Sequence, residues 1–138
     1  MPALILLGRV LFAVIFVFSG FNHFSHEAIG YAASSGVPLA NVAVPLSGVM
    51  AILGGLMIAF GFQARLGGIL IALFLIPVTL FMHAFWKISD PMQHQMQLIN
   101  FMKNLALLGG SFAFIYFGAG PLSVDARHPM GRLADTTA

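Results

Sequence analysis

The side chains that could exchange protons or bind a polar ligand lie within or at the ends of long apolar stretches. His23 lies near the end of the first stretch, His83 near the end of the third, and Lys103 inside the fourth. Inside a bilayer an ionisable side chain costs several kcal/mol unless it is paired or hydrated, so each of these residues requires an explanation. Histidine and desolvated lysine can both donate or relay protons, and we predict His23, His83 and Lys103 as the candidate catalytic residues.

Amide and aromatic side chains accompany these three residues. Asn100 and Asn104 flank Lys103, and Phe85 and Trp86 lie at about the same depth. Aromatic walls with a few convergent donors suit a flat, amphipathic ligand such as the head of a quinone. We therefore predict a quinone or a similar lipid-soluble carrier as the cofactor, bound by these asparagines and aromatic residues. An aromatic belt at the membrane interface is the alternative origin of Trp86 and its neighbours.

Other interpretations of the polar side chains are open. They could face lipid headgroups or join helices by interhelical hydrogen bonds. His23 and His26 have the i, i+3 spacing that can chelate a metal, and His23 with His83 could be axial haem ligands. A metal would need a third ligand, for which His94 and Glu27 are the candidates, and no spacing enforces it. We predict neither haem nor a metal site.

The composition excludes several classes of protein. Of the 138 residues, 59% are hydrophobic and 7% are charged, whereas a soluble domain carries about 25% charged residues. At roughly 20 residues per span, the chain has room for four membrane helices and short connections. It contains no cysteine, which excludes disulfides, thiolate catalysis and iron–sulfur clusters within the chain. The net charge of +2 is scattered, so we predict no nucleic-acid partner.

The apolar stretches predict an all-α fold, a single-domain four-helix transmembrane bundle with up-down-up-down topology. The first stretch is too long for the apolar core of a signal peptide and is expected to be retained. Asp90 and Pro91 are typical of a helix start. A polar connection is expected over residues 25–41, and a polar, poorly packed tail at the end. The predicted spans and tail cover residues 3–24, 42–62, 66–86, 97–117 and 118–138.

Because consecutive spans run in opposite directions, the ends of the first and third spans should lie level with the start of the fourth. We therefore expect His23, His83 and Lys103 to converge, with Lys103 facing the interior near His83. Arg9 lies about 21 Å from His23 along the first helix, at 1.5 Å per residue. It is expected to extend to the cytoplasmic interface.

The distribution of lysine and arginine predicts the orientation, because these residues are enriched in short cytoplasmic loops. Four arginines lie on the face that holds both termini, and two lysines lie on the other face. We predict that both termini are cytoplasmic. The residues concerned are Arg9, Arg65, Arg127 and Arg132 on the first face, and Lys87 and Lys103 on the second.

Three parts of the chain together resemble the DoxX family. They are residues 8–11 with 16–22, residues 54–61 with Arg65, and residues 100–101 with 103–110. The resemblance covers nearly all four spans and implies a four-helix inner-membrane protein. The family takes its name from a subunit of an archaeal thiosulfate:quinone oxidoreductase.

The resemblance also carries over individual polar positions. It adds Arg9 and Asn22 to the predicted cofactor-binding residues. Where the family often has a lysine after the Ser-Gly element of the first span, this chain has His23. The matching polar positions are Arg9, Asn22, His83, Lys103 and Asn104.

We therefore predict an integral subunit of a redox system in the bacterial inner membrane. It would bind its carrier near the non-cytoplasmic side and receive electrons from a protein partner. The chain is also expected to form a homo-oligomer, because the bundle is small and its glycine pairs favour close helix contact. The alternatives are a non-catalytic membrane interaction or assembly module and a small-molecule transporter.

Overall fold

The computed structural model describes residues 1–128 and is built of helices. Four helices are long and apolar enough to cross a membrane: α1, α3, α4 and α5. The predicted all-α bundle of four long apolar helices is confirmed. In chain order the elements are α1 (Pro2–Asn22), α2 (His26–Ser34), α3 (Ala40–Phe60), α4 (Ala64–Met82), a 3₁₀ turn (Phe85–Lys87), α5 (Pro91–Phe117) and α6 (Val124–Arg127).

Glycines let neighbouring helices approach closely. A Cβ atom at Gly20, late in α1, would lie 2.8 Å from the carbonyl oxygen of Gly48, early in α3. A Cβ atom at Gly54, in the second half of α3, would lie 3.0 Å from the carbonyl oxygen of Gly67, early in α4. Late residues of one helix therefore meet early residues of the next, and these neighbours pack antiparallel. Small residues at such contacts are what van der Waals packing in lipid requires.

The apolar core lies between α1, α3 and α4, and α5 packs mainly against α4. Phe12 joins α1 to α5, since its ring centroid lies 5.0 Å from that of Phe114. Only Asn104 and Ser111 are buried in α5. The buried core residues are Ala13, Phe16, Ala51, Ile58, Ile71, Phe74 and Leu75.

The connection between α1 and α3 contains a helix, α2, that the sequence analysis did not predict. Ser25 begins it, because its hydroxyl oxygen accepts a hydrogen bond from the Ala28 amide at 3.1 Å. Ala32 is buried and packs in one cluster with Val44 of α3. This short helix therefore covers one end of the bundle.

Helix α5 begins at the Asp90–Pro91 pair, which the sequence analysis predicted to start a helix. The Asp90 carboxylate accepts from the Gln93 amide at 2.9 Å, and Pro91 takes the first helical position. Helix α4 ends at Met82, before the predicted residue 86, and a 3₁₀ turn replaces its last residues.

Residues 118–128 pack against the end of the bundle where α1 begins and α3 meets α4, so the expectation of a poorly packed tail is wrong for this part. The Asp125 carboxylate accepts from the amides of Gln63 and Ala64 at 2.7 and 3.0 Å. The first amides of a helix have no partner within the helix, so the Asp125 carboxylate supplies one for these two at the start of α4. This explains why the segment docks there. The rest of the predicted tail, residues 129–138, lies outside the described residues.

Candidate functional site

A cavity of about 650 Å³ lies at the end of the bundle where α1 ends, α3 begins and α4 ends, with α2 forming part of its wall. His23 and His83 both line it, as does Asn22. The structure thus brings two of the three predicted catalytic residues and one predicted cofactor-binding residue to one place. The cavity has the size of a small-molecule site.

Hydrogen bonds define which ring nitrogen of His23 carries the proton. The Ser47 hydroxyl donates its single hydrogen to the carbonyl oxygen of Val44 at 2.6 Å. The same hydroxyl oxygen lies 2.8 Å from Nδ1 of His23, and with its hydrogen on the Val44 carbonyl it accepts from an Nδ1–H group. In the neutral ring Nε2 is then an acceptor. Contact with Phe74, with ring centroids 5.4 Å apart, further positions the imidazole.

His83 has the same arrangement through a different partner. Its Nδ1 lies 2.7 Å from Oε1 of Gln97 in α5. An amide oxygen only accepts, so Nδ1 again carries the proton and Nε2 is the acceptor of the neutral ring. Within residues 1–128, neither Nε2 takes part in a hydrogen bond. The cavity is therefore lined by two imidazoles that can each accept one proton.

The remaining wall is partly polar and mainly apolar. Asn22 and Tyr31 provide hydrogen-bond donors, and Glu27 provides a carboxylate on α2. Such a surface suits a ligand with an apolar body and a few polar oxygen atoms. The apolar wall includes Ala28, Val37, Val44, Pro77, Val78, Phe81 and Met82.

The two asparagines of α5 do not line the cavity. Asn104 is buried and donates from Nδ2 to the Thr79 hydroxyl at 3.1 Å. This hydrogen bond joins α5 to α4, as in the alternative interpretation in which the polar side chains join helices. Asn100 accepts from Nζ of Lys103 at 3.2 Å on the exposed side of the helix.

Lys103 lies on the exposed face of α5, so the predicted inward orientation is wrong, but its charge is close enough to act on the His83 imidazole, as the prediction of nearness requires. Asn104, the next residue, occupies the inward face. Because successive residues of a helix are rotated by about 100°, Lys103 is turned toward the surface. There Asn100, nearly one turn closer to the start of α5, accepts a hydrogen bond from its ammonium group.

Phe85 and Trp86 belong to an aromatic cluster at the same end of the bundle and are not among the residues that line the cavity. The ring centroid of Phe85 lies 5.5 Å from that of His94 and 5.2 Å from that of Phe101. The Trp86 side chain is 52% exposed. The cluster is typical of an interfacial aromatic belt.

Arg9 lies at the opposite end of the bundle and is 1% exposed, so the expectation that it extends to the membrane interface is wrong. Its Nη1 donates to the carbonyl oxygen of Ala119 at 3.0 Å, and its Nη2 donates to that of Leu122. These carbonyl groups satisfy the two terminal nitrogens of the guanidinium, whereas Nε is buried without a hydrogen-bond partner among residues 1–128. Arg9 therefore holds the C-terminal segment and is separated from the cavity.

The polar cavity residues that sequence reasoning missed include Ser47 and Tyr31. Ser47 carries a recognisable signal, because a hydroxyl within an apolar span needs a hydrogen-bond partner. Tyr31 carries none, since its position depends on the unpredicted helix α2.

The histidines outside the cavity have other environments. His26 is exposed at the start of α2. Nδ1 of His94 lies 3.2 Å from the carbonyl oxygen of Ile88. Among residues 1–128 no three His, Cys, Asp or Glu side chains form a group that could hold a metal ion.

Comparisons with known proteins agree with this architecture. The chain is 28% identical over 128 residues to the inner membrane protein YphA of Escherichia coli strain K12, covering 91% of each chain. No solved structure matches it. This likeness and the four apolar helices support a multi-pass protein of the inner membrane. A sequence model of the DoxX family matches residues 4–84, more than half of the length, and the chain therefore belongs to the DoxX family.

Proposed function

We propose that the protein is an integral membrane subunit of a redox system that binds a quinone or a similar lipid-soluble carrier in the cavity of His23 and His83. One observation carries the proposal: both imidazoles line one cavity, and both have Nδ1 committed to a neighbouring acceptor. Lys103, which lies on the exposed face, is not among the residues that line this cavity.

The two histidines suit the reduced and oxidised forms of such a carrier in different protonation states. A neutral imidazole presents Nε2 as an acceptor, which fits the hydroxyl group of a quinol. A protonated imidazole presents Nε2–H as a donor, which fits the carbonyl oxygen of a quinone. His23 and His83 can thus hold the carrier through its oxygens and take up or return the protons that accompany its two-electron chemistry.

The electrons come from a partner protein, because the chain has no cysteine for thiol or iron–sulfur chemistry. We also propose that the chain forms a homo-oligomer. The cavity end faces the non-cytoplasmic side, since Arg65 and Arg127 lie in short segments at the other end, where the positive-inside bias places the cytoplasm.

The test is a titration of the purified protein in nanodiscs with a short-chain quinol. His23→Leu and His83→Leu each remove one acceptor, and each should weaken quinol binding roughly three- to tenfold. His26→Leu is the matched control, because this histidine is exposed and is not among the residues that line the cavity. Binding that is unchanged in both cavity variants, or equally weakened by His26→Leu, would contradict the proposal.

A second candidate is a non-catalytic assembly module. It is favoured by α5, in which only two residues are buried, Asn104 and Ser111. In that case the wild-type protein would bind no quinol in the same titration, and crosslinking in native membranes would attach a protein partner to α5.

A further inference from the structure

Lys103 is a cation on the lipid-facing side of a membrane helix. It lies six residues beyond Gln97, the residue that pairs with His83 at the end of α4, and this places its Cα about 9 Å deeper along the helix axis. Its hydrogen bond within residues 1–128 goes to Asn100, and no carboxylate is bonded to it there. A charge in this position needs an anion or water to stabilise it.

Lys103 and Asn100 together present several hydrogen-bond donors, and the ammonium group is the one charge of the pair. The ammonium group uses one of its three N–H groups on Oδ1 of Asn100. Because Oδ1 faces the ammonium, the Nδ2 amide group of Asn100 provides two more N–H groups beside it. Adjacent ammonium and amide donors fit an anion that has several acceptor oxygens.

We propose that Lys103 and Asn100 bind the phosphate of an anionic phospholipid headgroup. The hydrogen bond to Asn100 directs the ammonium toward the start of α5, and therefore toward the nearer membrane interface. Lipid is the occupant that the surroundings favour, because the neighbouring Ile99 and Met102 are 58% and 55% exposed and offer an apolar surface to acyl chains.

A second copy of the chain fits this face poorly. A two-fold axis along the membrane normal would bring two Lys103 side chains to the same depth, where like charges repel. A partner helix that carries a carboxylate is the remaining occupant, and the experiment distinguishes it from a lipid.

The experiment measures lipid preference in the intact protein. Purified protein is reconstituted in vesicles of phosphatidylcholine with spin-labelled phosphatidylglycerol or spin-labelled phosphatidylcholine, and the motionally restricted fraction of each is recorded. Wild type should prefer phosphatidylglycerol by about fivefold, as expected for one lysine near an anionic headgroup. Lys103→Met should abolish this preference, Asn100→Leu should reduce it, and Lys103→Arg should retain it.

Lys87→Met is the matched control, because it removes the other lysine at this end of the bundle and should leave most of the preference intact. Thermal unfolding in detergent verifies that each variant is folded. An unchanged preference in Lys103→Met, or an equal loss in Lys87→Met, would overturn the proposal. The proposal would also be overturned if the wild-type protein showed no lipid preference and instead associated, through Lys103, with a poly-leucine helix that carries one central aspartate. Energy transfer between labels on the two molecules would detect this association.

Discussion

The guanidinium of Arg9 occupies the space that a side chain at Gly61 would need. A Cβ atom at Gly61 would lie 2.5 Å from Nη1 of Arg9, and 2.3 Å from the Cβ atom of Ser123. Gly61 ends α3 with a φ of +66°, a left-handed conformation that glycine adopts without steric cost. One glycine therefore permits both the turn into α4 and the docking of the C-terminal segment.

Gly61→Ala should destabilise the protein by about 2 to 4 kcal/mol, because it adds a left-handed alanine and an overpacked contact. Gly109→Ala is the control, since a Cβ atom there has no atom within 4 Å and the position is helical. Unfolding by sodium dodecyl sulfate titration should show a large loss for the first variant and no loss for the second. If Gly61→Ala and Gly109→Ala were equally stable, the proposed crowding at Gly61 would be refuted.

Arg9→Leu should release the C-terminal segment. The substitution removes two hydrogen bonds from a charged group and leaves the carbonyl groups of Ala119 and Leu122 without these donors, at a cost of about 2 to 4 kcal/mol. Hydrogen exchange should accelerate at residues 119–125, while quinol binding at the opposite end stays unchanged. Arg65→Leu, which removes an exposed arginine from the same end, should have little effect on exchange. Similar exchange in both variants would contradict the assigned role of Arg9.

The number of long apolar helices could be predicted from sequence because a run of about 20 apolar residues is by itself long enough to span a bilayer. The start of α5 was also predictable, since Asp90 and Pro91 act within one turn of the chain. These features depend on local residues.

The candidate site could be predicted only in part. His23 and His83 were identified because ionisable groups within a predicted span are rare. The outward orientation of Lys103 was not predicted. It depends on which residue of α5 finds a hydrogen-bond partner on α4, and Thr79 of α4 bonds to the neighbouring Asn104. Arg9 was misplaced for a similar reason, because its acceptors come from a segment more than a hundred residues later.

The proposed orientation, with both termini cytoplasmic, predicts which end of the bundle is accessible from outside. A cysteine placed at exposed Ser34 in α2 should react with a membrane-impermeant maleimide in intact cells, whereas a cysteine in place of exposed Gln63 should react only after lysis. The chain has no native cysteine, so labelling reports on the introduced residue alone. The reverse pattern would place the cavity on the cytoplasmic side.

The hydrogen bond between His83 and Gln97 predicts the tautomer of the imidazole. Nitrogen-15 spectra of histidine-labelled protein at a pH where the ring is neutral should show a protonated Nδ1 and a free Nε2 for His83. Gln97→Leu removes the acceptor and should give a mixture of tautomers, with His23 unaffected. Gln93→Leu, an exposed position on the first turn of α5, is the control. A protonated Nε2 in the neutral wild-type ring would refute the assignment.

If the cavity binds a quinone as proposed, the same tautomers predict opposite pH dependences for the quinol and the quinone. At high pH both imidazoles are neutral and their Nε2 atoms accept from quinol hydroxyl groups, so quinol should bind well and quinone poorly. As the pH falls and the rings protonate, Nε2 becomes a donor, so quinol binding should weaken and quinone binding should strengthen. Titrations with a short-chain quinol and the matching quinone across the range in which histidine protonates would measure both trends. The double variant His23→Leu with His83→Leu should flatten both curves, whereas His26→Leu should leave them unchanged. If both forms of the carrier instead lose affinity together as the pH falls, the histidines act through the stability of the fold and do not contact the ligand.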